Sequence, residues 1–140
     1  MPAWKIVRFP FDTNPVMSVE ILRIRGQHID GVAGLYDDRF LKERRCLAAH
    51  LYDKKIILAV PVAHALSAET IIASDKLKNS KVLFIRRGWN RYIDDLRDQV
   101  EAKGVKTADF EMLNLADYNR AVADNTPIIT VESWADEHPL

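Results

Sequence analysis

The chain has 140 residues, 48% apolar and 29% charged, the profile of a globular protein able to bury a core in one domain or two small lobes. Lys plus Arg and Asp plus Glu number 20 each, so no net field draws it to nucleic acid or to a membrane surface. No apolar run approaches a membrane span, no signal peptide is expected, and the single cysteine, Cys46, excludes an internal disulfide; these point to the cytoplasm.

Trp4 to Phe9 alternates weakly and predicts a first strand, ended at Phe9-Pro10-Phe11 by the missing proline N–H. Asp12-Thr13-Asn14 then precedes Pro15, a helix start with Asn14 as N-cap and Pro15 at the first helical position. Val16, Val19, Leu22 and Ile24 supply its apolar stripe, and Gly26 falls where a C-cap belongs. Ile29 to Leu35 predicts a second strand, so the first 35 residues read as one β-α-β unit with parallel strands. Tyr36 to Arg45 is a charged, solvated connection, followed by two extended segments, Cys46 to Tyr52 and Lys54 to Val60.

Lys55 to Leu66, KIILAVPVAHAL, organises the chain. Its apolar run predicts a strand buried on both faces, and Pro61 forces that strand to end or to leave its sheet. The expected division is therefore a first α/β lobe over 1–60 and a second over 61–140. In the second, a short helix is expected at Ala68 to Ala73 and another helical turn at Ser74 to Lys78. Lys81 to Ile85 is a central strand, Arg86-Arg87-Gly88 its turn, and Trp89 to Lys103 the clearest helix. That helix is expected to turn Tyr92, Ile93, Leu96 and Val100 inward and Asp94, Asp95, Arg97 and Asp98 outward, with Gly104 capping its end. Thr107 to Leu113 is a further strand, Leu115 to Ala123 a helix with Leu115, Tyr118, Ala121 and Val122 inward, and Pro127 to Val131 the last strand. Alternating β and α segments of these lengths imply an open, mostly parallel sheet flanked by helices.

Chemistry-bearing motifs are scarce. His28, His50, His64 and His138 lack the spacings that metal geometry requires, and no phosphate loop, dinucleotide fingerprint or nucleophile elbow occurs. Asp94 and Asp95 are adjacent on a helix and so do not face one another. No catalytic, metal or cofactor site is expected. In open α/β sheets, however, small molecules bind beyond the carboxyl ends of strands, near helix N-termini. Two stretches fit: Asp12-Thr13-Asn14, and Arg86-Arg87-Gly88-Trp89-Asn90, whose two cations suit a small carboxylate.

The segments IRGQHIDGVAGLY, LYDKKIILAVPVAHALS and SDKLKNSKVLFIRRGWNRYIDDLRDQVEAKGVK, in that order, resemble the C-terminal effector-binding domain of LysR-type transcriptional regulators. The likeness is carried by Gly26 before Ile29-Asp30, by Leu58 to Leu66 as a strand crossing between lobes, and by Asp75 and Leu77 before the central strand. Ala65 stands where the family has proline, and Asn125-Thr126-Pro127 replaces a Gly-x-Gly turn. The resemblance implies a periplasmic-binding-protein-like α/β fold, its first lobe truncated and its DNA-binding helix-turn-helix absent. It implies an effector, small and anionic, held by Thr13, Asn14, Pro61, Arg86 and Arg87, with Ser18 and Tyr36 nearby. It further implies a homodimer through helices 14–25 and 89–103, without direct nucleic-acid contact. The competing readings are an enzyme or ligand carrier on the same fold, and a stand-alone interaction module anchored by Phe40, Trp89 and Trp134.

Overall fold

The structure is a computed structural model that describes residues 37–43, 45, 47–111 and 114–132. Chain contacts divide the molecule into units 1–34 and 35–140. All described elements belong to the second unit, and the expected β-α-β unit lies outside the described residues.

The described chain is α/β. It runs α1 (Asp38–Glu43), β1 (Ile56–Ala59), a short 3-10 helix (Ser74–Leu77), β2 (Lys81–Ile85), α2 (Arg91–Ala102), β3 (Lys106–Phe110), α3 (Leu115–Ala123) and β4 (Ile128–Val131). The four strands form one open sheet in the order β1-β4-β2-β3. β2 is parallel to both β3 and β4, whereas β1 runs antiparallel to β4 from Ile56↔Val131 to Ala59↔Ile128.

That sheet joins segments from both sides of the expected 60/61 boundary. The residues before Pro61 pair with the last strand, and the compact division falls after position 34. Ile56 to Ala59 is also not buried on both faces as expected. Its four residues are half-buried, because β1 pairs only with β4 among the described residues and lies at an edge. No strand forms over 47–55, and Leu47, Leu51 and Tyr52 stand 98%, 74% and 67% exposed. The expected connection at 36–45 contains α1, exposed along most of its length and tethered by Asp37, whose carboxylate Oδ2 accepts from the Arg91 backbone N–H at 2.7 Å. The helix expected at Ala68 to Ala73 is replaced by turns closed by Ser67 N–H to His64 O and Glu69 N–H to Leu66 O.

The core forms where β2 runs between β3 and β4. Val82, Phe84 and Ile128 are almost wholly buried, with Ile85, Ile93, Val100, Val105, Phe110 and Ala121 around them. Strand residues alternate between faces. Arg97 of α2 lies 5.8 Å over the Phe84 ring and bonds Thr107 and Asp109, which places α2 on the face of Phe84, Thr107 and Asp109. Phe110, one residue on, meets Tyr118 of α3 edge to face with centroids 5.7 Å apart, so α3 covers the opposite face. Two helices thus sandwich the parallel strands.

Both helix faces differ from the sequence expectation. In α2 the inward stripe is Ile93, Arg97 and Val100, whereas Tyr92 is 56% exposed. The spacing is helical (i, i+4, i+7), and the Arg97 guanidinium lies over the Phe84 ring while its nitrogens reach carboxylates at the sheet edge. In α3, Tyr118 and Ala121 are buried, but Leu115 and Val122 face solvent because the nine-residue helix covers the sheet with one narrow stripe.

The helix ends follow local chemistry. Asn90 caps α2, accepting from the Tyr92 and Ile93 N–H groups, and Asn114 caps α3, accepting from Ala116 N–H. Gly104, at φ +85°, ends α2 as expected, with Val105 N–H bonded to Val100 O and Gly104 N–H to Glu101 O. Asn125, at φ 51°, closes α3 by the same pair of bonds from Thr126 and Asn125. β3 spans 106–110 where the sequence suggested 107–113: the Glu111 N–H turns to the Asp117 carboxylate, and 112–113 lie outside the described residues. Among the described residues no helix is long and apolar enough to cross a membrane.

Candidate functional site

Parallel β2 and β3 end side by side, Ile85 opposite Phe110, and each opens a loop that leads into a capped helix. The two helix starts share one arrangement of caps. Gly88, at φ +90°, turns the first loop, and its N–H donates to Asp94 Oδ2 at 3.0 Å. In the second, the Glu111 N–H donates to Asp117 Oδ2 at 3.0 Å. In both, an Asn cap and an Asp in the first helical turn satisfy donors that would otherwise be orphaned. Asp37 adds a third carboxylate, on the first N–H of α2. The positive ends of the helices are therefore already met by the chain's own anions.

Arg86 lies between the loops. Its Nη1 is 3.5 Å from Glu111 Oε1, with the two side chains 45% and 38% exposed, so the pair is open to solvent. Arg87 is held more tightly: its Nη2 is 2.7 Å from Asp98 Oδ1 and 2.9 Å from Glu101 Oε2. Those contacts raise the Arg87 pKa, the hydrogen bond it donates to Asp98 most of all.

Glu101 links this pair to a second arginine. Arg97 Nε bonds Glu101 Oε1 and Thr107 Oγ1, each at 3.0 Å, and Arg97 Nη1 bonds Asp109 at 2.6 Å. Burial pulls the Arg97 pKa down, but the bonds to Asp109 and Glu101 outweigh it and the net direction is up. The Thr107 hydroxyl donates to Glu101 and, with Arg97, holds that carboxyl below its usual range.

Of the residues expected to hold an effector, Thr13, Asn14, Ser18 and Tyr36 lie outside the described residues. Pro61 is fully buried beneath the turn that follows β1, its carbonyl accepting from His64 N–H at 2.8 Å, and it presents no surface to a ligand. Arg86 and Arg87 are adjacent and exposed but turn to different carboxylates, Arg86 towards β3 and Arg87 along α2. Trp89 is half-buried against the core; Trp134 and the Phe40 side chain lie outside the described residues. Sequence reasoning missed Asp37, Glu111 and Asp117. For Asp117 a signal exists, since Asn114-x-x-Asp117 is an N-cap followed by an acid three residues on. Asp37 meets Arg91 from far along the chain, which no local pattern announces.

On the α3 face, a small cavity of about 80 Å³ is lined by Lys81, Leu83, Phe110, Asp117, Arg120 and Asp124, among others. Sites for drug-sized ligands run to roughly 300 Å³ or more. Among the described residues no group of His, Cys, Asp or Glu is placed to hold a metal ion. No protein-family model matches the chain, and no curated protein or solved structure matches it.

Proposed function

We propose that this chain is a small-molecule effector-sensing domain of the LysR regulator type, not an enzyme, and that it reads a small carboxylate at the carboxyl edge of β2 and β3. The observation that carries the reading is the solvent-open Arg86–Glu111 pair, at 3.5 Å, between the residues that follow β2 and β3, where an α/β sheet takes its ligands. A ligand carboxylate binding Arg86 in a bidentate manner replaces the side chain of Glu111 and frees one loop from the other. Arg87, doubly engaged by Asp98 and Glu101, shapes the loop. The signal then passes to α2, which in this reading contributes to the pairing of two domains and whose N-terminus begins three residues after Gly88.

The test is thermal shift and calorimetry against a panel of small mono- and dicarboxylates. A sensing domain gains a dose-dependent rise in thermal midpoint with at least one of them. Arg86→Ala abolishes the rise without changing the basal midpoint, whereas Glu111→Gln strengthens it by removing the internal competitor. A panel without a shift, or an Arg86→Ala variant that still responds, refutes the assignment.

A second reading, a protein-interaction module, is favoured by one observation: Leu47, Leu51 and Tyr52 lie exposed along one segment without regular structure. Its mark is binding that Leu47→Ser and Leu51→Ser remove and Arg86→Ala leaves intact.

A further inference from the structure

The opposite edge of the same sheet carries a different charge arrangement. Lys81 and Lys106 open β2 and β3 and are paired directly in register. They share the α3 face with Leu83 and Ala108, because the pairing keeps parity along both strands. Like charges facing one another across strands destabilise a sheet. Both lysines are exposed, and neither has a carboxylate within ion-pair distance among the described residues. Three more lysines surround them. Lys103 closes α2 three residues before Lys106 and donates to Ser74 Oγ at 2.8 Å, which brings the 3-10 helix to the same edge. Lys76 and Lys78 lie in and just after that helix, paired with Glu69 at 2.5 Å and Asp75 at 3.1 Å. Among the described residues, Lys81, Lys103 and Lys106 are left as cations with no ion pair. Asp124, which lines the cavity beside Lys81, stays beyond ion-pair reach.

We propose that this amino edge of β2 and β3 is a docking surface for an acidic peptide segment of a partner protein. Charge complementarity selects an anion, and the dimensions select a short one: two strand starts roughly 4.8 Å apart plus one helix end. A nucleic acid extends past this edge and meets a chain whose charges balance, with Asp37, Asp94 and Asp117 gathered at the other end of the strands. Lysine heads are also mobile point charges, suited to the irregular spacing of carboxylates along an extended peptide rather than to a fixed planar fork. The bound peptide relieves the Lys81–Lys106 repulsion that the free chain tolerates.

The test is fluorescence anisotropy of a labelled hexaglutamate peptide titrated with the full chain at low and physiological salt. Expected is saturable, salt-sensitive binding that weakens at least about tenfold in Lys106→Glu. The thermal midpoint of Lys106→Glu does not fall, because the new carboxylate faces Lys81, and this separates lost docking from lost folding. Should that variant unfold, the Lys81→Gln/Lys106→Gln double variant carries the same expectation. Lys42→Gln on α1 leaves binding unchanged. No binding by the wild type, retained binding in the Lys106 variants, or an equal loss in Lys42→Gln overturns the proposal. So does tighter binding of a single-stranded oligonucleotide of equal charge than of the peptide.

Discussion

The Arg97 guanidinium reaches from the buried face of α2 to the outer strand, where its Nη1 meets Asp109 Oδ1 at 2.6 Å. The arginine side chain is 10% exposed and the aspartate 55%, so one partner is dry and the other wet. Removing Arg97 therefore leaves a carboxylate that water can solvate, and the loss is mainly that of the guanidinium over Phe84 and the bonds to Thr107 and Glu101. Arg97→Ala is expected to cost about 2 kcal/mol and Arg97→Met about half of that, since methionine keeps a buried apolar stem and loses only the guanidinium contacts. Urea denaturation of both variants checks this; equal losses would show that the polar bonds carry the stability.

Acid should loosen the same network through Glu101. Its pKa is lowered by the Thr107 hydroxyl first and by Arg97 second. A carboxylate depressed in the folded state contributes stability that is present above its unfolded pKa and lost as pH falls through the folded one. Urea midpoints taken from about pH 7 to about pH 3 should fall for the wild type and fall less steeply for Glu101→Gln. Parallel curves would mean that Glu101 is not part of the acid response.

Alkali acts on the other face. Burial pushes the Tyr118 hydroxyl up to about 12 from an ordinary 10.0. A raised pKa contributes stability that is complete below the unfolded value and disappears as pH rises through the folded value, here between 10.0 and about 12. Tyr118→Phe keeps the edge-to-face contact with Phe110 and should remove that part of the alkaline loss. Near-ultraviolet absorbance of the wild type should show a late tyrosine ionisation that Tyr118→Phe removes.

The left-handed residues at the helix ends respond in opposite senses. Gly104→Ala puts a side chain at φ +85° with open space around it, so only backbone strain opposes it, at about 1 kcal/mol. Asn125→Gly relieves strain at φ 51° and should be neutral or gain a few tenths of a kcal/mol. Thermal melts of the two variants should move apart.

Asp37 tethers α1 to the start of α2. Asp37→Ala should cost about 1 kcal/mol, the value of a lost cap, and Asp37→Asn less. Proteolysis at Arg39 and Lys42 should accelerate in the alanine variant, because the segment then lacks the bond to Arg91 N–H. Unchanged cleavage would show that other contacts hold α1.

Much of the second half of the chain was readable in advance for a simple reason: its periodicity is undiluted. Lys81 to Ile85 and Leu115 to Ala123 fall where apolar spacing puts them, and Gly104 ends α2 because its neighbours cannot adopt its φ without cost. Misreadings came from residues of dual character. Arg97 counts as polar by composition, yet most of its length is methylene. Tyr92 counts as apolar, yet it lies one residue off the inward stripe. At the site, Arg86 and Arg87 were legible as cations, but their partners Glu111, Asp98 and Glu101 were not assigned, since Glu111 lies on another strand end and the helical pair looked like a solvated face. The lobe boundary at 60/61 was drawn from Pro61, which does end its strand; the pairing of that strand with β4 is a long-range choice that local pattern does not encode.

The place of β4 between β1 and β2 sets an order on assembly. Among the described strands β1 has no partner but β4, so during synthesis it emerges early and is received only when β4 arrives to join it to β2. A ribosome-bound chain stopped short of Ile128 therefore holds β2 and β3 without the strand that links them to β1.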